Sequence, residues 1–449
     1  MSACIVLLLF PFTFIMYSQN NALDKYIREG IDNNLSLKMK LENYYQSLLE
    51  LDAAKGLFFP DISFNARYSL AEGGRIIEFP VGDMLNPVYS TLNQLTMSNL
   101  FSEINNQEFS FLRPEEHESK IRLVQPVINT DIIYNRKIKE NLAEGEKANM
   151  ETYRRALVAD IKKSYYNYMK AIKINDILCN TKLLLEENIR VTRGLYENDK
   201  LTRDAVYRSE AEYSKLIQQI AEADRAVISA AAYFNFLLNR ELQSEIEIEE
   251  PGEMIMSVDH ENAVIHALSA REEISMLESY YNAGENHLKL QKADYLPELM
   301  TVIDYGYQGT KYRFTSEDDF AMASLLLRWD IFNGNIRKSE IRKAQYNLSI
   351  LEKQLQETEN LIKLEVLTSY HALQAATKKI PAAESEYLAL EEAFRMVEKK
   401  YRQGQATLIE FIDARTNKTN AETGLALARY EYLSAWTEFE KVAAFFEFN

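Results

Sequence analysis

From residue 22 to about 55 the apolar positions Leu23, Ile27, Ile31 and Leu35 fall on one helical stripe, and Pro60 ends the pattern. The period then switches to two. Ile62, Phe64, Ala66, Tyr68 and Leu70 alternate with Asp61, Ser63, Asn65, Arg67 and Ser69. One apolar and one polar face over about ten residues is the pattern of a transmembrane β-strand between lipid and water. A second strand is predicted at Lys120–Pro126. Residues 71–118 between them hold Gly73, Gly74, Pro80, Gly82, Pro87 and Pro114, and are predicted as a long loop. The alternation returns later in the chain. Leu299, Thr301, Ile303, Tyr305 and Tyr307 oppose Asp304, Gly306 and Gln308. Ala323, Leu325, Leu327 and Trp329 oppose Ser324, Leu326, Arg328 and Asp330.

Each strand pair is followed by a helical stretch of about 68 residues, Asn129 to Tyr196 and Asn333 to Lys400. Unbroken, each would be about 100 Å long, too long for a compact domain. Pro381 is expected to kink the second. A returning helix follows each turn with a clean seam: Val206, Ser209, Tyr213, Leu216, Ile220, Ala223, Val227, Ala230, Phe234 and Leu237 in the first. In the second the seam is Phe411, Ala414, Lys418, Ala421, Leu425, Ala428, Tyr432, Ala435, Phe439 and Val442. Such spacing predicts coiled-coil packing between helices.

These elements occur twice. The turn at Tyr196–Thr202 is echoed 205 positions later at Tyr401–Thr407, and Ser164-Tyr165 and Phe234 return as Ser369-Tyr370 and Phe439. Upstream, Pro60 returns as Pro297, an offset of 237. The predicted order is a signal peptide at 1–18, built on the apolar run Ile5–Tyr17, and then two repeats. The first, 19–250, holds a helix, a β-hairpin at 59–128 with the long loop 71–118, and long helices at 129–240. The second, 251–449, holds a helix, a hairpin at 296–332 and long helices at 333–446.

Only 14 glycines and 9 prolines in 449 residues leave little room for the frequent turns of an α/β enzyme. A net charge of −16 disfavours nucleic acid and anionic membrane surfaces as partners. Cys4 and Cys179 make no disulfide or zinc framework. His117, His260, His266, His287 and His371 form no metal pair, and no phosphate loop or catalytic set is present. No catalytic residue, cofactor or metal is therefore expected, and the chain is not read as an enzyme.

Four strands cannot close a barrel, and open edges in lipid would leave backbone groups unsatisfied. Three chains would supply twelve strands and twelve helical columns. The fold class is thus mixed α and transmembrane β: a long coiled-coil α-barrel plus four strands per chain, completing a 12-stranded barrel as a homotrimer. The apolar loop 71–118 is expected to fold over the outer mouth or to pack on a neighbouring chain.

The run Tyr401-Arg402-Gln403-Gly404-Gln405-Ala406-Thr407-Leu408-Ile409-Glu410-Phe411-Ile412-Asp413-Ala414-Arg415 resembles the signature of the TolC family of outer-membrane efflux proteins, and the likeness extends over nearly the whole chain. The resemblance implies a homotrimeric duct in the outer membrane with its helical part in the periplasm. It implies a periplasmic adaptor (membrane fusion) protein, and an inner-membrane transporter of RND or ABC type, as partners. Glu410 and Asp413 lie on one helix face and in a trimer would form rings of carboxylates that trap cations and raise their own pKa values. With Tyr401, which matches the family's gate tyrosine, they are the expected pore constriction. Asp199, Lys200, Gly404 and Gln405 are the expected adaptor-contacting tips, and Arg203 and Asp204 the expected gate links. Ala406 stands where the family carries a gating arginine. Gly404 is expected at positive φ, with Asp199 in its place in the first repeat. The rival reading is a periplasmic coiled-coil adaptor or structural protein.

Overall fold

The computed structural model describes residues 21–250, 252 and 258–445, so the expected signal peptide lies outside the described residues. The chain divides into two compact units, one helical and one built on a sheet.

The helical unit takes its described residues from 21–48, 141–282 and 349–445. Its elements are α1 (Asn21–Asn33), α5 (Arg203–Leu237), α6 (His260–Ala270) and α9 (Leu408–Val442), with parts of α2 (Leu35–Gly56), α4 (Thr130–Glu197), α7 (Glu272–Ala293) and α8 (Ile336–Arg402). The single helix expected over 22–55 is two. Asn34 breaks it, donating from its side-chain amide to the Leu237 carbonyl (2.9 Å) and accepting from the Leu37 N–H (3.0 Å). Arg271, 237 positions on, separates α6 from α7 in the same way. It pairs with Glu273 (2.6 Å) and with Glu365. The long helices run 68 residues in α4 and 67 in α8. Helix α8 continues through Pro381, whose missing N–H costs it one backbone bond.

The duplication is visible in the packing. Tyr26, Leu157, Ile161, Tyr165 and Phe234 form one core, and Ala263, Ile362, Val366 and Phe439 form another. Leu157, Ile161 and Phe234 stand 205 positions before Ile362, Val366 and Phe439. Of the seam expected in α5, Val206, Ser209, Leu216, Ala223, Ala230, Phe234 and Leu237 are buried, and Tyr213, Ile220 and Val227 are half-buried. Both return helices also end alike. Asn239 (φ 54) and Ala444 (φ 58) turn the chain left-handed. The amides of Arg240 and Phe445 then donate to the carbonyls of Asn235 and Glu440.

The other unit, residues 49–140 and 283–348, holds an antiparallel sheet of β1 (Asp61–Leu70), β4 (Glu115–Ile128), β5 (Glu298–Gly309) and β6 (Asp319–Arg328). The strand order is β1-β4-β5-β6, so β1 and β6 are its edges. Opposed residues share a face. One face carries Phe64–Ile121–Tyr305–Ala321 and Ile62–Leu123–Ile303–Ala323 in adjacent rows. It is the exposed one: Phe64 is 71% exposed and Leu325 66%. The opposite face carries Arg67, Glu118, Lys120, Arg122 and Asp304. Asp304 is fully buried there and accepts two hydrogen bonds from the Arg122 guanidinium, at 2.8 and 2.7 Å, with Lys120 at 3.4 Å. A sheet with its apolar side out and its ion pairs in is the reverse of a water-soluble one. Among the described residues no helix is long and apolar enough to cross a membrane.

The stretch expected as a loop at 71–118 is largely ordered structure. It holds a short hairpin, β2 (Ile76–Phe79) with β3 (Gln107–Ser110), and a 16-residue helix, α3 (Val81–Thr96). Strand β4 begins at Glu115, because its first residues complete a ladder with β1 that runs to Leu70↔Glu115. Two of the residues read as breakers sit where a helix start tolerates them, and a third lies inside α3. Pro80 is the N-cap, Gly82 lies in the first turn, and Pro87 costs α3 a single backbone bond.

Candidate functional site

Each long helix of the helical unit turns back on its partner within a few residues, and the two turns are chemical near-copies. At the first, the Asp199 amide donates to the Tyr196 carbonyl (3.0 Å) and the Lys200 amide to the Leu195 carbonyl (2.9 Å). At the second, Gly404 donates to Tyr401 (2.9 Å) and Gln405 to Lys400 (2.9 Å). This closure requires a left-handed residue at the third helix-end position. Gly404 supplies φ 71 at no steric cost, and Asp199 adopts φ 58. Asp199, Lys200, Gly404 and Gln405 are all exposed and form the two tips.

The helix starts after the turns differ. Thr407 caps α9 in a complete capping box: its hydroxyl accepts from the Glu410 amide (3.3 Å), and the Glu410 carboxylate accepts from the Thr407 amide (2.7 Å). The Thr407 amide, and secondly its hydroxyl, hold the Glu410 carboxyl below the ordinary glutamate value of 4.5. The rise expected from a ring of like charges is a property of an assembly. Within one chain the helix start acts in the opposite direction. Asp413, one turn on, is exposed on the same helix as Glu410. In the first repeat Thr202 makes no such cap. Its hydroxyl donates instead to Asp204, which also lies 3.6 Å from Arg208. Arg203 sits over the Tyr207 ring at 5.4 Å. Within the chain, Arg203 and Asp204 therefore have partners on their own helix.

Because the depressed carboxyl belongs to the folded helix, the capping box contributes fully above about pH 4.5 and is lost as pH falls through the lower folded value. Thr407→Ala is expected to speed amide hydrogen exchange in residues 408–411 at neutral pH and to leave the body of α9 unchanged. Wild-type protein should show the same local fraying on acidification. Equal exchange in the two proteins at neutral pH would mean the box does not hold the turn.

Tyr401 departs from its expected place in a pore. It is 1% exposed, against 39% for its counterpart Tyr196. Its ring packs on Phe411 (centroids 5.0 Å), and its hydroxyl shares a hydrogen bond with Thr192 (2.7 Å), which Ser209 also reaches (3.3 Å). Burial pushes the phenol pKa up, and Thr192 opposes the rise. A ring enclosed by its own chain offers no surface to a lumen, so Tyr401 is a packing residue with Ala205, Phe394, Leu408 and Phe411. The periodicity did not reveal the ion pair one turn deeper, where the nearly buried Arg415 donates to Glu212 at 2.9 Å. Arg415 closes the signature run in the sequence, but nothing there indicates that its partner is 203 residues earlier.

Residues 264–444 match the family model described as "Outer membrane efflux protein". The outer membrane protein TolC of Escherichia coli (strain K12) is 29% identical over 139 residues, 29% of this chain and 28% of that protein. The outer membrane protein TolC of Salmonella enteritidis is 22% identical over 357 residues, 75% of this chain and 70% of that protein. Among solved structures, the Campylobacter jejuni CmeC outer membrane channel shares the fold with a TM-score of 0.78. It is 13% identical, covering 94% of this chain and 85% of that one.

Proposed function

From the match of residues 264–444 to the outer membrane efflux protein model and the likeness to TolC, we propose that three copies form a passive duct through the outer membrane and periplasm. The observation that carries this is the sheet. Its exposed face is apolar, its ion-paired face is polar, and among the described residues β1 and β6 each have a strand on one side only. In lipid such a sheet is stable only when closed, and three copies of four strands close it. The long helices, of 67 and 68 residues, carry the duct into the periplasm as an α-barrel. Their turns dock a periplasmic adaptor, which couples the duct to an inner-membrane transporter. The duct does no chemistry of its own; cargo passes when the helical tips splay apart.

The constriction is assigned to Glu410 and Asp413 of the second repeat. Three copies of each place six carboxylates in two stacked rings of three in a narrow lumen, which concentrate cations and bind divalent ions. Arg203 and Asp204, on the neighbouring turn, are the proposed links that hold the tips together. Purified protein in planar bilayers should conduct with cation preference and be blocked by millimolar divalent cations. Glu410→Gln with Asp413→Asn should lose both properties and keep the open conductance. Unchanged selectivity and block in that variant would move the constriction elsewhere. Absence of any conductance from the folded wild type would count against the duct itself.

A further inference from the structure

Helix α3 is amphipathic the wrong way round. Val81, Met84, Leu85, Val88, Leu92 and Leu95 lie on one stripe about 100° wide, which in a soluble domain faces a core. Here the stripe faces out: Met84 is 68% exposed, Val88 50% and Leu95 76%. The polar side is the one packed on the chain. Asn86 clamps Ile104 with two hydrogen bonds, its amide donating to the carbonyl and its oxygen accepting from the N–H (both 2.9 Å). Asn93 clamps Phe101 in the same way, at 2.8 and 3.0 Å. The Asp83 amide donates to the Asn106 side chain at 3.1 Å. At Gly82 a Cβ would meet the Ile104 carbonyl oxygen at 2.4 Å, so the helix start lies directly on that strand of chain. Rolling α3 to bury its stripe would break all of these bonds. The orientation is built in, and the exposed stripe needs a cover.

We infer that the stripe of α3 docks on a second copy of this chain, clasping neighbouring subunits at the end of the sheet where β1 finishes. The inference rests on the proposed assembly and adds a contact to it. The argument is continuity. Residues 71–114 leave the sheet from Leu70, the last residue of edge strand β1, and that edge must pair with the β6 edge of another copy. In an antiparallel closure the end of β1 adjoins the start of the neighbour's β6. Separated from that start by four residues, the β5–β6 connection holds Lys311-Tyr312-Arg313-Phe314, with Tyr312 57% and Phe314 55% exposed. Its two cations sit beside Glu317, Asp318 and Asp319, so the match to the apolar stripe of α3 is made by the exposed rings of Tyr312 and Phe314. A lipid surface is the poorer occupant. Helices that lie in a membrane interface carry Lys or Arg on the polar face, and α3 has neither.

The test is a photo-crosslinking amino acid at Leu95 or Met84 in the full chain, irradiated in outer-membrane vesicles. The expected product is a covalent dimer or trimer of this chain on a denaturing gel. A product carrying only lipid, or no crosslinked product, would overturn the clasp. A second readout uses Met84→Glu with Leu95→Glu. That variant should keep its helical circular dichroism and lose the trimer band at temperatures where wild type retains it; equal heat resistance would also count against the clasp. Sedimentation of the wild type separates the two proposals. A trimer without α3 crosslinks sinks the clasp alone, whereas a monomer sinks both.

Discussion

Arginine at Ile303 is expected to prevent accumulation of the folded protein in the outer membrane. Ile303 is in the middle of β5, 42% exposed, on the face it shares with Ile62, Leu123 and Ala323. An arginine at the bilayer midplane of a β-barrel costs roughly 2–4 kcal/mol, and in the proposed trimer the change would total roughly 6–12 kcal/mol per assembly. That is comparable with the whole stability of many proteins. The control is Gln308→Arg on the opposite face, across from Glu118, where the new cation meets water and a carboxylate. Membrane fractionation with heat-modifiable gel mobility reads both. Loss of the folded form in Ile303→Arg and its retention in Gln308→Arg is the expected pair. Equal tolerance of the two would mean that the exposed apolar face does not meet lipid.

Phe234→Ala and Phe439→Ala are each expected to destabilise the helical unit by about 3–5 kcal/mol, because each empties a fully enclosed site. Phe234 lies edge-on to Tyr26 with ring centroids 5.1 Å apart, and Phe439 packs with Tyr370 and Trp436, both at 6.2 Å. The two cores share no residue, so the double variant should cost the sum to within about 0.5 kcal/mol. Denaturant unfolding of detergent-solubilised protein, followed by circular dichroism, measures all three. A double variant no worse than either single one would show that the two repeats unfold as one core through a shared weak point.

The repeat, the strand faces and the helical seams were legible in the sequence because they are periodic. Alternation at two and spacing at three and four reflect where a side chain must go whatever surrounds it. Gly404 and Asp199 were legible for a related reason, since few residues accept the left-handed turn. The misreadings share a cause. Gly82, Pro80 and Pro87 looked like breakers because local propensity cannot see that Asn86 and Asn93 anchor a helix to residues 101–104. Tyr401 is expected in a lumen because it matches the family's gate tyrosine, a match that carries no information on its surroundings in this chain. Thr192 and Phe411 decide otherwise, and only folding brings Thr192 to it.

The sequence by itself determined the long helices and the four long strands, that the unit occurs twice, and which face of each long strand is apolar, since these follow from local stereochemistry and the solvent preference of each side chain. The tertiary structure decided which polar groups find partners. Asp304 under Arg122, Glu212 beside Arg415 and the inverted α3 all depend on residues distant in the chain. A buried polar group is stable only where its partner arrives, and that position is set by the path of the backbone rather than by any period along it.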